Sequence, residues 1–131
     1  MPSLQLDSPR LYSHTTKRMI AEEMGRVYSQ IMQADVELVT VSIHALGAGS
    51  VWRCTGGDAQ EAALLMCDIR SGRSPAIRAE LARAPIEICV EQGQLDSQQI
   101  KVEFTQHPGE DMYHPHLGGF NQDWTAAEPS E

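Results

Sequence analysis

The chain has 131 residues, enough for one ordinary domain with a core of its own. Its 41% hydrophobic and 21% charged residues are typical of a globular protein rather than of a disordered chain or a coiled coil. A net charge of -8, with no basic cluster longer than the Lys17-Arg18 pair, argues against nucleic acid and anionic membranes as partners.

No apolar run reaches the roughly 18 residues of a membrane span, and the N-terminus lacks the features of a signal peptide. We therefore expect a cytoplasmic protein without a membrane partner. The three cysteines are odd in number and share no C-x-x-C spacing, which favours neither a disulfide framework nor a zinc site. Cys67 and Cys89 lie in apolar patterns and are predicted to be buried thiols.

The first half of the chain predicts a strand, a helix and a second strand. Leu4 and Leu6 alternate with polar neighbours, and Ser13 then suits the N-cap of an amphipathic helix. A second alternating strand leads into GAGSVWRCTGG, a predicted hairpin. The apolar positions are Ile20, Met24, Val27 and Ile31 in the helix and Val39, Val41 and Ile43 in the second strand.

The second half predicts the same order of elements. The apolar run AALLMCDI leads to Ser74-Pro75, a helix start, and IKVEF is the last strand. Pro85 falls inside this helix, where a missing N-H costs on the order of 3 kcal/mol, so we expect a kink near Arg83 or an early end.

The two halves match at a constant shift of 61 residues, and we interpret this as a duplicated βαβ unit. The predicted domain spans 1-117, with one repeat at about 2-46 and the other at about 62-105, and residues 118-131 are predicted to be a mobile tail. The matched pairs are Leu4 with Leu65, Asp7 with Asp68, Ser13 with Ser74, Ile20 with Leu81, Val27 with Ile88, Val39 with Ile100, Val41 with Val102 and Ile43 with Phe104.

Each βαβ unit pairs its strands in parallel by a right-handed crossover, so the predicted α/β (α+β) fold is a four-stranded mixed sheet with two helices on one face. The other face would then be bare. Because the run ALLMC suggests burial on both sides of its strand, we expect this face to pack against other subunits of a homo-oligomer.

Pro2 is the first candidate for chemistry. If Met1 is removed, Pro2 becomes a secondary amine fixed at the end of a strand, and such an amine can move protons at carbon. Alternatively, Pro2 merely begins a strand, where a missing N-H is harmless.

The second candidate is the turn IRSGRS, where Arg70 and Arg73 bracket a glycine just before the second helix. Two guanidiniums beside a helix N-terminus suit a carboxylate, although a solvated surface pair remains an alternative. Arg10, close to the end of the first strand, is a third anion-binding candidate. Within one unit the geometry does not bring Pro2 to Arg70, so strand order and oligomer contacts must do so.

The histidines of HPGEDMYHPHLGG raise the question of a metal site. His107, His114 and His116, with Glu110 and Asp111, lie in a loop-like stretch without helical H-x-x-x-H spacing. A segment that covers substrate or contacts another subunit is the favoured interpretation, and no metal or cofactor is expected.

Met1-Pro2 at the head of a strand, the doubled βαβ and the R-x-G-R-S turn resemble the tautomerase superfamily, particularly its longer members related to cis-3-chloroacrylic acid dehalogenase. The resemblance covers residues 1 to about 114. It implies a homotrimer, an N-terminal proline as catalytic base or acid, and Arg70 and Arg73 as carboxylate-binding residues.

Three positions depart from the dehalogenase group. Its helix-one histidine aligns with Tyr28, its late tyrosine with Glu103 and its water-activating glutamate with His114. A water addition of the dehalogenase type therefore loses its obvious base, although Glu103, Asp111 or His114 can substitute in principle. Proton transfer between carbon and oxygen needs only an amine, an anion clamp and a donor.

The resemblance and the residues together favour keto-enol tautomerisation of a small 2-oxo or enol carboxylate. Pro2 would move the proton and Tyr28 or His114 would polarise the oxygen. The carboxylate would be held by Arg70 and Arg73, and Glu103 is a further candidate for substrate binding. The alternatives are dehalogenase-like hydration or decarboxylation of a three-carbon acid, or a non-catalytic binding trimer of the same fold.

Overall fold

The computed structural model describes residues 2-120. In the first repeat, strand β1 (Ser3–Ser8) is followed by helix α1 (His14–Met32) and strand β2 (Thr40–Ala45). The Ser13 side chain accepts a hydrogen bond from Thr16 N at 3.1 Å, which confirms the predicted N-cap. A short hairpin, β3 (Trp52–Arg53) and β4 (Gln60–Glu61), then leads to the second repeat.

The second repeat contains strand β5 (Ala63–Arg70), helix α2 (Pro75–Glu91) and strand β6 (Ile100–His107). Ser74 caps α2 by accepting a hydrogen bond from Ile77 N at 3.2 Å. A second small hairpin follows, made of β7 (Tyr113–His114) and β8 (Gly119–Phe120). Most of the predicted tail, residues 121-131, lies outside the described residues.

The four long strands form one mixed sheet in the order β2-β1-β5-β6. Each repeat pairs its own two strands in parallel, and β1 runs antiparallel to β5. Leu4 pairs with Cys67 and Leu6 with Leu65, and the two pairs exchange when each residue is replaced by its equivalent in the other repeat. The duplication predicted from sequence is thus an approximate two-fold axis between β1 and β5.

Both helices pack on one face of the sheet, as predicted. The alternating positions of β1 and β5 that face the helices are fully buried, and Cys67 and Cys89 are among the buried residues. Burial of such side chains stabilises the fold by roughly 1.5–3 kcal/mol each. The core consists of Leu4, Leu6, Ile20, Met24, Tyr28, Met32, Ala63, Leu65, Cys67, Ile69, Leu81, Ile88 and Cys89.

The opposite face of the sheet carries no helix in the described part of the chain. Its apolar side chains are few: Leu64 is half-buried and Met66 is 37% exposed. Polar side chains surround them: Lys101 forms an ion pair with Glu103, and His44 and His107 lie 3.0 Å and 3.8 Å from the carboxylates of Asp7 and Asp68. We name it the bare face.

Of the two outcomes predicted for Pro85, the early end of the helix is wrong, because α2 continues through Pro85 to Glu91, and the kink near Arg83 stays a prediction. Pro85 is fully buried. Packing against the core holds the helix despite the missing N-H, so tertiary burial overrides local propensity here. None of the helices within residues 2-120 combines the length and apolarity needed to cross a bilayer.

Candidate active site

Pro2 lies at the end of the sheet where β1 and β2 begin and β5 and β6 end, and it is buried. The antiparallel register pairs Ser3 with Asp68. Continuing that register by one residue sets Pro2 beside Ile69, next to Arg70. Strand order alone therefore brings Pro2 and Arg70 to one end of neighbouring strands within a single chain.

The turn between β5 and α2 fixes the two arginines at this end of the sheet. Gly72 has φ of 120°, a conformation that L side chains rarely adopt, which explains the glycine between the arginines. Arg73 is 7% exposed, and its Nη2 donates a hydrogen bond of 2.7 Å to the carbonyl of Met32. A buried guanidinium is thereby tied to the last residue of α1.

Ser71 attaches the same turn to the edge of the sheet. Its backbone N donates to the His107 carbonyl at 2.8 Å, and its hydroxyl donates to that oxygen at 3.2 Å. The turn is held on two sides, by α1 through Arg73 and by β6 through Ser71. Arg70 and Arg73 thus occupy a supported turn rather than a free surface loop.

Tyr28, on the buried face of α1, is 3% exposed. Burial raises the pKa of the phenol well above its usual range, and the nearby Arg73 charge opposes that shift only in part. The hydroxyl consequently stays protonated at neutral pH. Within residues 2-120 it makes no hydrogen bond, so its proton is uncommitted.

Glu103 lies apart from Pro2 within one chain. It pairs in register with Met66, in the middle of β5, and its carboxylate forms an ion pair of 3.2 Å with Lys101 on the bare face. Glu103 also borders a cavity of about 310 Å³ shared with Trp52. A contact between Glu103 and substrate at Pro2 would need a neighbouring subunit.

The segment 108-120 follows β6, and His116 in it contacts the link that precedes β2. His116 Nε2 lies 3.4 Å from Asp35 Oδ2 and 3.3 Å from Glu37 Oε1, in the link between α1 and β2. Since β6 and β2 are the two edges of the sheet, residues 108-116 pass along the end at which Pro2 lies. Met112, in the middle of this passage, is 7% exposed.

His114 belongs to this crossing segment, and its Nδ1 accepts a hydrogen bond of 2.9 Å from His116 N. The two imidazole rings lie 6.2 Å apart, edge to face. No group of three or more metal-ligating side chains occurs within the described residues. His116 contacts the link before β2, and His114 bonds to the backbone of His116, so both histidines hold this segment at the end of the sheet.

Sequence reasoning missed two parts of this arrangement. One is the Met32 carbonyl, which accepts the hydrogen bond from Arg73 and, as a backbone group, cannot be predicted from side-chain patterns. The other is the acidic pair Asp35 and Glu37, which contacts His116. These two residues lie in the link between α1 and β2, where the sequence shows no pattern beyond that of a connecting loop. Both depend on contacts between distant parts of the chain, so no local signal was available for either.

The arrangement joins a strand-initial proline, two arginines and a protonated phenol at one end of the sheet. Arginine forks bind carboxylates in bidentate fashion, and the N-terminus of α2 adds to the positive potential. Such a group of residues can hold a small carboxylate. It can also donate a hydrogen bond to an oxygen of that ligand.

No protein-family model and no curated protein matches the chain. Solved structures do match. Pt0534 inactivated by 2-oxo-3-pentynoate has a TM-score of 0.75 at 19% identity, covering 92% of this chain and 95% of that one. A member of the cis-3-chloroacrylic acid dehalogenase family has a TM-score of 0.72 at 24% identity, covering 86% and 79%.

A fused 4-OT, described as a wild-type symmetric trimer, has a TM-score of 0.77 at 18% identity and covers 92% of this chain and 95% of that one. These likenesses show a shared fold. The chain therefore has the fold of tautomerase-superfamily proteins, as its sequence resemblance implied.

Proposed function

We propose that this protein catalyses keto-enol tautomerisation of a small 2-oxo or enol carboxylate, with Pro2 as the general base and acid. The observation that supports the proposal is the position of Pro2, the arginine turn and Tyr28 toward the same end of the sheet. The solved structure of Pt0534 adds support, because that protein is inactivated by a 2-oxo acid.

The proposal requires the removal of Met1, since an acylated proline nitrogen has no basic lone pair. Burial and neighbouring cations both favour the neutral form of an amine. Pro2 is buried at the end of the sheet that carries Arg70 and Arg73. A free amine in these surroundings is suited to accept a proton near neutral pH.

Arg70 and Arg73 hold the substrate carboxylate in this proposal. Arg73 already uses Nη2 for the Met32 carbonyl, which orients its guanidinium. Arg70 is half-buried at the end of β5, one strand from Pro2. Such a clamp fixes the substrate's reacting carbon relative to the proline nitrogen, and positioning of this kind lowers a barrier by removing rotational freedom.

In the keto-to-enol direction, Pro2 removes a proton from the carbon next to the carbonyl, and the electron pair moves onto the oxygen. Tyr28 donates a hydrogen bond to that oxygen as its charge grows. The proton on Pro2 is then returned to the oxygen, so the substrate keeps all of its atoms. His114 is the second candidate for the donor, since its segment passes along this end of the sheet.

Hydration of the dehalogenase type has less support. It needs a base that activates water near Pro2, and the candidates from sequence for that role are Glu103, Asp111 and His114. Within one chain Glu103 lies on the bare face, paired with Lys101. Decarboxylation of a three-carbon acid uses the same clamp, and the test below includes both reactions.

We further propose a homotrimer in which the bare face is covered by neighbouring subunits. The fused 4-OT with this fold is a trimer, and the bare face carries the exposed Met66. Such an assembly is also the way in which Glu103 of one subunit would reach the Pro2 site of another. Light scattering should give a mass about three times the 14.5 kDa of the chain.

The test of the proposed activity is an ultraviolet assay with phenylenolpyruvate and 2-hydroxymuconate, alongside assays with cis-3-chloroacrylate and a three-carbon oxo acid. Wild type should ketonise an enol substrate, and Pro2→Ala and Arg73→Ala should each lose most of that rate. The control variant is Arg83→Ala, which replaces an exposed arginine of α2 and should retain the rate. Equal rates in all four proteins would reject proline-based catalysis, and a wild type that fails on the enols but releases chloride would favour hydration.

A further inference from the structure

The approximate two-fold axis gives the Pro2 site a counterpart at the opposite end of the sheet. Under the 61-residue shift, Pro2 corresponds to Ala63 and Arg70 to Pro9. The counterpart therefore lies where β1 ends and β5 begins. It is remote from Pro2, because β1 spans the distance between the two ends.

A cavity of about 520 Å³ occupies this second end. That volume is within the range of pockets that bind small molecules. Its walls include Ala63, Arg10 beside the first strand, and Gln94 to Asp96 in the link after α2. Leu11 and Leu95 supply apolar surface.

One contact shows that the second end keeps the architecture of the first. Tyr12 is the equivalent of Arg73, and Gly93 is the equivalent of Met32. The Tyr12 hydroxyl donates to the Gly93 carbonyl at 2.8 Å, as Arg73 Nη2 donates to the Met32 carbonyl at 2.7 Å. The same tie between turn and helix end is made at both ends by different side chains.

Gly93 is required by this packing. A Cβ at that position would lie 2.7 Å from the Cys89 carbonyl oxygen and 3.1 Å from the Tyr12 hydroxyl. Tyr12 is further held by Ser8, whose hydroxyl lies 2.8 Å from the phenol oxygen. These contacts fix Tyr12 and Gly93, which directly adjoin the lining residues Leu11 and Gln94 in the chain.

Arg10 is the only basic side chain among the residues that line the cavity, beside two acidic ones, Glu61 and Asp96. Arg10 is exposed, and its guanidinium forms no ion pair with any residue between 2 and 120. The acidic residues are engaged in local structure: the Glu61 carboxylate accepts from Gly49 N at 2.7 Å, and Asp96 caps the turn that follows it. Hydrogen bonding leaves both carboxylates charged, so the cavity can take an anion only beside Arg10, and one of single rather than higher charge.

We propose that this cavity is a second site, which binds a small monocarboxylate without converting it. Arg10 pairs with the carboxylate, and the apolar part of the ligand lies against Leu11 and Leu95. The nitrogen of Ala63 lies within the chain as a peptide amide, so the counterpart of Pro2 has no basic lone pair. The site retains the hydrogen bond between turn and helix end and lacks the base.

The proposal is tested by amide NMR with 2-oxobutanoate as the probe, on the full-length protein. Titration should shift the amides of Leu11, Glu61 and Leu95 with one saturable dissociation constant. In Arg10→Gln that constant should rise about tenfold or more, the loss expected for a charge-assisted pair. Arg83→Gln, an exposed arginine elsewhere, serves as the matched control and should bind as wild type does.

Two results would overturn the second site: no saturable shift at these amides, or the same dissociation constant in Arg10→Gln. Arg10 is exposed, so the variant is expected to fold, and unchanged amide positions in β6 verify this. The titration is repeated in Pro2→Ala, where the shifts at Leu11 and Leu95 should persist. Failure of the proposed tautomerase activity would leave this result unaffected, so the two proposals are tested separately.

Discussion

Replacement of Tyr28 by phenylalanine distinguishes the proposed role of its hydroxyl as a hydrogen-bond donor from the role of its ring in the core. The ring is 3% exposed and would keep its packing, while only the hydroxyl oxygen is removed. In the described part of the chain that hydroxyl makes no hydrogen bond, so its loss should change the free energy of unfolding by no more than about 1 kcal/mol. Denaturant titration measures this difference.

The catalytic cost of Tyr28→Phe should be much larger. A single donor to a developing oxyanion is worth about 100- to 1000-fold in rate, or roughly 2.7–4 kcal/mol. Because burial raises the pKa of Tyr28, the phenol stays protonated across the assay range and the loss should be the same from about pH 6 to 9. We expect kcat to fall with little change in KM.

An enol-ketonisation assay at several pH values decides the matter. A kcat within threefold of wild type would show that Tyr28 is only a core residue. A fall in kcat accompanied by a loss of several kcal/mol in unfolding free energy would show that the hydroxyl supports the fold instead. His114→Gln, assayed in parallel, tests the second candidate for the same role.

Three further predictions concern the clamp, the thiols and a helix cap. Arg73→Lys keeps the charge but loses the planar fork, so KM should rise about tenfold or more with a smaller change in kcat, and an unchanged KM would remove Arg73 from substrate binding. Burial raises the pKa of Cys67 and of Cys89 to about 12. Ellman's reagent should therefore modify only the exposed Cys54 in native protein, and all three thiols after denaturation. Fast reaction of a second thiol in native protein would contradict the packing. Ser13→Ala removes the acceptor of a 3.1 Å cap bond and should lower the unfolding free energy by about 1 kcal/mol, with Thr15→Ala as a control on the same turn that should cost less.

Much of the fold was predictable because the duplication made each element appear twice. Ser13 and Ser74 cap their helices as expected, and the alternation of Leu4 and Leu6 gave the buried face of β1. A pattern that repeats in register supports the same element in both copies. This agreement is stronger evidence for the element than the propensity of either copy alone. Pro85 is the exception, since its burial in α2 outweighs a missing hydrogen bond that sequence reasoning could count.

The candidate residues could be selected from the sequence, but their relative positions could not. Pro2, Arg70 and Arg73 stood out as unusual residues at element ends. Their position at one end of the sheet depends on the antiparallel pairing of β1 with β5, which joins the two repeats and leaves no periodic signal. The crossing of segment 108-120 depends on His116, whose partners lie some eighty positions away in the chain.

Arg10 illustrates the same limit. Sequence reasoning grouped it with Arg70 and Arg73 as a third anion-binding candidate. The structure puts it at the other end of β1, on the wall of a different cavity. Only the strand direction decides at which end of the sheet Arg10 lies, so residue type and proximity in sequence could not separate it from Arg70 and Arg73.

The central claim is that Pro2 is a free and nucleophilic amine next to a carboxylate clamp. Mass spectrometry after treatment with 2-oxo-3-pentynoate tests it most directly, because an amine adds to the alkyne carbon conjugated with the ketone and the proton passes to the neighbouring carbon. We predict a chain without Met1 that gains the mass of one inhibitor, located on the N-terminal Pro2 by peptide mapping, and much slower labelling in Arg73→Ala. Retention of Met1, or labelling that avoids Pro2, would contradict the account.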